Sequence, residues 1–155
     1  MLKPGEQAPL FQADSTQGTI DLTNLLGQKP IVLIFYPMDE TPGCTKQLCA
    51  VRDAESEYAG RGAAVLGVNS ASKDSHEKFA AKQGYRFPLV VDEGGAIRRL
   101  YGVGKSLGFL TQQRTVFVID LEGRIAFAEK GLPSTEDILS AIDKLLAKEK
   151  SLTKL

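Results

Sequence analysis

The sequence predicts an α/β fold in which helices flank a central mixed β-sheet, and three patterns support this class. Two continuous apolar runs, PIVLIFYP at 30–37 and AAVLGVNS at 63–70, are typical of parallel strands buried on both faces of a sheet. Polar segments of helical length, with capping residues, follow each run. Two further runs, RTVFVID at 114–120 and RIAFAEKG at 124–131, are joined by Leu-Glu-Gly and indicate an antiparallel hairpin.

The elements are expected in the order β-β-β-α-β-α-β-α-β-β-α. They are two weak strands around 10–14 and 19–22, the strand at 30–37, a helix from 42 to about 59, the strand at 63–70, a helix at 72–84, a strand at 87–92, a short helix at 94–102, the hairpin, and a last helix from 134 or 135 to about 148. Ser72 and Gly84 are the expected N-cap and stop of the helix at 72–84. The last helix has one apolar face, formed by Ile138, Ile142, Leu145 and Leu146.

Composition indicates one globular domain, 1–155, with 149–155 as a flexible tail. Acidic and basic residues balance at 19 each, so we expect neither nucleic acid nor an anionic membrane as a partner. The longest apolar run, 31–36, is far below the ~18 residues of a membrane helix. The start, MLKPGEQAPLF, lacks the apolar stretch of a signal peptide. We therefore expect a cytoplasmic protein, in which two close cysteines are catalytic or metal-binding rather than structural.

Cys44, one of the two cysteines of the chain, is predicted to lie at the start of a helix. Thr41 is a good N-cap residue, Pro42 suits the first helical position, and Gly43 permits close approach of the backbone. Cys44 then takes the third position, where free backbone N–H groups and the helix dipole favour an anion. The anion that this residue can supply is a thiolate, because such surroundings lower the pKa of a cysteine.

Cys49, the second cysteine, lies five residues further along the same predicted helix. At ~100° per residue, Cys44 shares a buried stripe with Leu48, Val51, Glu55 and Tyr58. Cys49 is rotated ~140° away onto a mostly polar face with Thr45, Arg52, Asp53 and Ser56. The two Cα atoms are ~8.7 Å apart in an ideal helix, whereas a disulfide needs roughly 4.4–6.8 Å. Any redox couple between these thiols therefore requires local unwinding.

The segment YPMDETPGCT (36–45) is similar to the active-site loop of the peroxiredoxins. Pro37, Thr41 and Cys44 form the pattern P-x-x-x-T-x-x-C after a buried strand, and the cysteine five residues later resembles the bacterioferritin comigratory protein, or peroxiredoxin Q, subfamily. The similarity extends from PGEQAPLF through RTVFVID to the last helix, whereas GKSLGFLTQQ (104–113) departs from many relatives. The resemblance implies a thioredoxin-like fold.

The resemblance also implies a thiol-dependent peroxidase that acts on hydrogen peroxide and organic hydroperoxides. Cys44 would be the peroxidatic cysteine, and Cys49 the resolving cysteine that closes an intramolecular disulfide. Thr41 would offer its hydroxyl to the peroxide, Pro37 would shield the thiolate, and Arg114 would be the distal arginine of the site. Thioredoxin or a similar reductant would reopen the disulfide, no metal or organic cofactor is required, and a monomer is expected.

Other functions for the histidine and the two cysteines have less support. His76, the only histidine, is expected to be exposed on a polar helix, and nothing brings it to Cys44 for a Cys-His hydrolase. Two cysteines and one distant histidine also fall short of four zinc ligands. Two rival functions stay open, a thioredoxin-like disulfide exchanger without peroxidase activity and a catalytically silent binding module. The missing CxxC and the presence of Arg114 argue against the exchanger.

Overall fold

The computed structural model describes residues 1–105 and 111–153, without the side chains of residues 43, 44 and 151–153. Half of the divergent segment 104–113 therefore lies outside the described residues. The elements are β1 (Gln12–Ala13), β2 (Ile20–Asp21), α1 (Leu22–Leu25), β3 (Ile31–Phe35), α2 (Pro42–Asp53), α3 (Glu55–Gly60), β4 (Ala64–Asn69), α4 (Lys73–Gln83), β5 (Leu89–Val91), a 3₁₀ turn (Glu93–Gly95), α5 (Ala96–Leu100), β6 (Thr115–Ile119), β7 (Ile125–Lys130) and α6 (Thr135–Thr153).

The central sheet has five strands in the order β5-β4-β3-β6-β7. Strands β3, β4 and β5 are parallel, β6 is antiparallel to β3, and β7 is antiparallel to β6. The predicted α/β class with a mixed sheet is confirmed. Because Phe35 pairs with Thr115, the end of β3 lies beside the start of β6, and both lie at the edge where α2 begins.

Strand β3 is buried on both faces, as its continuous apolar run predicts. Val32 and Ile34 belong to one apolar cluster, and Ile31, Leu33 and Phe35 belong to a second one on the opposite face. The first cluster is completed by residues of α2, α3, α4 and α6, among them Leu48, Val51, Tyr58, Phe79, Ile138 and Ile142. The second includes Phe11, Leu22, Ile97 and Tyr101. The sheet is thus the middle layer of three.

The single helix predicted from 42 to about 59 is wrong, because it is divided at Ala54. The backbone of Ala54 has φ −99° and ψ 16°, which ends α2 at Asp53 before α3 begins at Glu55. Tyr58 is buried as predicted, but the break turns Glu55 out of the stripe and into solvent. The two weak strands are confirmed, and α1 is an additional short helix that begins at Leu22.

Helix α6 begins where the sequence predicts and extends further than expected. Ser134 caps it, since the Ser134 hydroxyl accepts a hydrogen bond from the Asp137 amide at 3.0 Å. The helix continues to Thr153, because 149–153 contains neither proline nor glycine to stop it. The flexibility of 149–155 stays a prediction. Within the part of the chain that the structure describes, no helix combines the length and the apolar character needed to cross a membrane.

Candidate active site

The loop between β3 and α2 carries three of the predicted site residues. Pro37 follows the strand directly and is half-buried. Thr41 occupies the N-cap position of α2 with φ −82° and ψ 150°, and its carbonyl accepts the first helical hydrogen bond from the Thr45 amide at 2.8 Å. Within the described residues the Thr41 side chain makes no capping hydrogen bond.

Cys44 is the third residue of α2, as the sequence predicts, and its side chain is not among those described. Pro42 is the first residue of the helix, and the first turn contains no acidic residue. The helix begins at the carboxyl end of the parallel strands, which is where α/β folds place their sites. This position provides backbone N–H donors and the positive end of the helix dipole for a thiolate.

Arg114 reaches the same helix from the start of β6. Its Nη1 donates a hydrogen bond to Oε1 of Gln47 at 2.9 Å. Gln47 lies three residues after Cys44, and residues at this spacing are neighbours on a helix surface. The structure therefore brings the guanidinium of Arg114 to the first two turns of α2. Gln47 lies outside the P-x-x-x-T-x-x-C pattern, so the motif does not identify this contact.

Asp39 anchors the loop to the rest of the molecule, although it occupies one of the variable positions of the P-x-x-x-T-x-x-C pattern. Its Oδ1 accepts hydrogen bonds from the Tyr36 hydroxyl at 2.6 Å and from Asn69 Nδ2 at 3.2 Å. Its Oδ2 accepts from the Ser75 hydroxyl and faces Nδ1 of His76, both at 2.7 Å. The Asp39 side chain is only 5% exposed. One carboxylate thus joins the loop to β4 and α4.

The prediction that His76 is exposed is wrong, since its side chain is 0% exposed. Its Nε2 lies 3.0 Å from the carbonyl oxygen of Val90, which can only accept a hydrogen bond. The Asp39 carboxylate lies against the other ring nitrogen, Nδ1, and when ionised it too can only accept a hydrogen bond. Burial is tolerated because each polar atom of the ring has a partner.

Hydrogen bonding controls the ionisation of Asp39. Burial by itself raises the pKa of this carboxyl, but the hydrogen bonds from His76, Tyr36 and Ser75 outweigh burial and lower the pKa below its ordinary value. A carboxyl with a lowered pKa stabilises the fold above the pKa it has in the unfolded chain. That contribution is lost as the pH falls through the folded-state value.

Gln112 holds the end of β3 in a similar way. Its Nε2 donates to the carbonyl oxygens of Tyr36 at 2.9 Å and Val68 at 2.7 Å. It is 6% exposed, and it belongs to the divergent segment that precedes Arg114. No sequence pattern pointed to this residue, because its partners are backbone carbonyls that lie 76 and 44 residues away in the chain.

Cys49 is a free, half-buried thiol on the other side of α2. Its Sγ lies 3.4 Å from the Tyr85 hydroxyl and 3.7 Å from Gln83 Oε1, and its side chain packs against the first apolar cluster. Polar neighbours are present, but the C-terminal end of α4 and Tyr85 cover the sulfur.

The two cysteines lie in one uninterrupted helix, Pro42–Asp53. Ideal helix geometry separates their Cα atoms by ~8.7 Å, beyond the reach of a disulfide. The arrangement can therefore keep two thiols close without joining them. Within the described residues, no group of three or more His, Cys, Asp or Glu side chains could hold a metal ion.

Comparison with known proteins gives a consistent result. Residues 4–128 match the AhpC/TSA family. The chain is 40% identical over 124 residues to a protein named peroxiredoxin Q, chloroplastic, from Triticum aestivum, with 79% of this chain and 57% of that protein aligned. It spans about three fifths of the length of this and similar plant relatives.

Two solved structures share the fold. One is the peroxidoxin BcpB of Mycobacterium tuberculosis, with 29% identity, a TM-score of 0.86, and coverage of 94% of this chain and 99% of that one. The other is the bacterioferritin comigratory protein of Xanthomonas campestris, studied for alkyl peroxide reduction, with 30% identity, a TM-score of 0.79, and coverage of 86% and 90%. These likenesses confirm the expected thioredoxin-like fold.

Replacing Asp39 tests the hydrogen-bond network that anchors the loop between β3 and α2. Asp39→Asn should lower the free energy of unfolding at pH 7 by about 3 kcal/mol, because it removes the carboxylate from a buried pair and leaves His76 without that partner. The wild-type protein should lose stability as the pH falls below about 4, and the variant should lose less over that range. Urea unfolding followed by circular dichroism between pH 7 and pH 3 measures both effects.

The matched control is Asp14→Asn, because Asp14 pairs with Lys73 through a side chain that is 49% exposed. Exposed pairs contribute little to stability, so this variant should keep nearly the wild-type profile. An acid dependence that is identical in wild type and Asp39→Asn would contradict the assignment of that dependence to Asp39.

Proposed function

We propose that this chain, which belongs to the AhpC/TSA family, is a thiol-dependent peroxidase that reduces hydrogen peroxide and organic hydroperoxides. The observation that carries the proposal is the position of Arg114, which reaches the first turns of the helix that begins with Thr41 and contains Cys44. In this proposal the Cys44 thiolate, the Thr41 hydroxyl and the Arg114 guanidinium act together at this edge of the sheet. Peroxide cleavage needs a nucleophile and donors at the two oxygens.

In the first step, the Cys44 thiolate attacks one oxygen of the peroxide. A sulfur–oxygen bond forms, the O–O bond breaks, and the second oxygen leaves as water or an alcohol after it takes a proton. The helix N-terminus favours the thiolate, and Arg114 and the Thr41 hydroxyl stabilise the charge that moves between the oxygens. Pro37 shields the sulfur from water. Cys44 is left as a sulfenic acid.

In the second step, the Cys49 sulfur attacks the Cys44 sulfenic acid. The disulfide forms and the oxygen leaves as water, which makes the protein an atypical 2-Cys peroxiredoxin. The helix between the thiols must unwind first, because ideal geometry holds the Cα atoms ~8.7 Å apart. Thioredoxin or a similar protein dithiol then reduces the disulfide. We also propose that the protein is a monomer, is located in the cytoplasm and has an antioxidant role.

Cys44→Ser should abolish peroxide consumption and leave the fold intact, because a serine hydroxyl is far harder to ionise than a thiol at neutral pH. The measurement is peroxide loss after mixing with pre-reduced protein and no added reductant. Wild type should consume about one equivalent and lose both thiols. Cys49→Ser is the control and should still consume its first equivalent. Consumption by Cys44→Ser above a few per cent of wild type would remove Cys44 from its role.

Arg114→Ala should slow the peroxide-dependent step by roughly 10²-fold, the usual effect of losing one preorganised donor. Rapid mixing of reduced protein with peroxide isolates this step from reduction of the disulfide. Arg124→Ala is the matched control, since Arg124 is exposed, precedes β7, and donates to the Gly5 carbonyl at 3.0 Å. Slowing confined to the step with the protein reductant would place Arg114 in a docking surface instead.

A further inference from the structure

Tyr85 is held rigidly at the C-terminal end of α4. Gly84 ends that helix in the left-handed conformation, with φ 72° and ψ 33°, and the Tyr85 amide donates to the Ala80 carbonyl at 3.0 Å. The Tyr85 ring lies edge-on to Phe79, at 5.2 Å between centroids, and stacks on Phe87 at 5.0 Å. The residue is 7% exposed. Its hydroxyl therefore has a fixed direction.

That hydroxyl contacts the turn of α2 that separates the two cysteines. It donates to the Thr45 carbonyl at 3.3 Å, and its oxygen lies 3.4 Å from Cys49 Sγ. Thr45 and Cys49 are four residues apart, so the Thr45 carbonyl is also the acceptor for the helical hydrogen bond of the Cys49 amide. Since the one hydroxyl hydrogen goes to Thr45, the Tyr85 oxygen can accept the S–H of Cys49.

Gln83 makes a second set of contacts with the same turn. Its Oε1 lies 3.7 Å from Cys49 Sγ, and its carbonyl accepts a hydrogen bond from Arg52 Nη1 at 2.7 Å. Gln83 and Tyr85 therefore contact α2 at Thr45, Cys49 and Arg52. We call these two residues the α4 clasp.

We propose that the α4 clasp holds Cys49 in the helix, and that Tyr85 is a positioning residue that sets how fast Cys49 reaches Cys44. The inference rests on the proposed peroxidase function and names how its second step is controlled. Unwinding of α2 breaks the Thr45 and Cys49 contacts of the Tyr85 hydroxyl. The clasp thus favours the helix that binds peroxide and opposes the unwound form that closes the disulfide.

Slower disulfide formation has a chemical consequence for Cys44. Attack by the Cys49 sulfur on the sulfenic acid yields a disulfide and water. Until that happens, a second peroxide can oxidise the same sulfur to sulfinic acid, with water or an alcohol as the other product. A tighter clasp therefore lengthens the life of the sulfenic acid and increases over-oxidation.

Tyr85→Phe tests the clasp, because it removes the oxygen and keeps the packed ring. The chain contains no tryptophan, so rapid quenching, thiol alkylation and mass measurement follow the reaction. Disulfide formation should be about 3- to 10-fold faster than in wild type, the factor expected from losing one or two neutral hydrogen bonds. Peroxide attack by Cys44 should be unchanged, and less sulfinic acid should accumulate at high peroxide.

Tyr101→Phe is the matched control. Tyr101 is also a buried tyrosine, and its hydroxyl donates to the Pro9 carbonyl at 2.8 Å on the opposite face of the sheet. It should change neither rate. Unchanged or slower disulfide formation in Tyr85→Phe, or equal acceleration in both variants, would overturn the role of the clasp.

Amide hydrogen exchange in the reduced protein separates this inference from the proposed function. Tyr85→Phe should accelerate exchange of the amides at 45–52, and Tyr101→Phe should not. This readout needs no peroxide, so it decides whether the clasp exists even if wild type consumes none. Equal exchange in wild type and Tyr85→Phe would overturn the clasp. Absence of peroxide consumption by wild type would instead overturn the proposed function.

Discussion

The separation of Cys44 and Cys49 by about one and a half turns of the same helix determines the proposed chemistry of this molecule. Cys44 and Cys49 belong to the same helix, and ideal geometry holds their Cα atoms ~8.7 Å apart, too far for a disulfide. A helix start is also what favours the Cys44 thiolate. The arrangement that activates the first thiol thus keeps the second one away. Catalysis by both thiols requires α2 to be folded for one step and unwound for the next.

The surroundings of α2 fit this demand, because the loop before the helix is anchored, whereas the helix itself is held by contacts with Gln83 and Tyr85. Asp39 fixes the preceding loop through four hydrogen-bonding partners, and Gln112 fixes the end of the strand before it. Cys49, by contrast, is held by weak contacts to Gln83 and Tyr85. The entry to the site can therefore stay in place while the segment around Cys49 rearranges.

Sequence patterns predicted the helices and strands, because these depend on residues that are close together in the chain. Continuous apolar runs identified the buried strands, and Ser72 and Gly84 marked the ends of α4. Burial of His76 was missed because its partners, the Asp39 carboxylate and the Val90 carbonyl, lie 37 and 14 residues away in the chain. Such contacts leave no periodic signal, since they arise only when β4, β5 and α4 pack together.

Amide hydrogen exchange on residues 42–52, compared between the reduced and the peroxide-oxidised protein, tests the central claim most directly. We expect slow exchange in the reduced form and much faster exchange once the disulfide between Cys44 and Cys49 has formed, because at least the first two turns of α2 must melt. Mass measurement confirms the disulfide in the same sample. Equal protection in both forms, with that disulfide present, would contradict the claim that α2 unwinds.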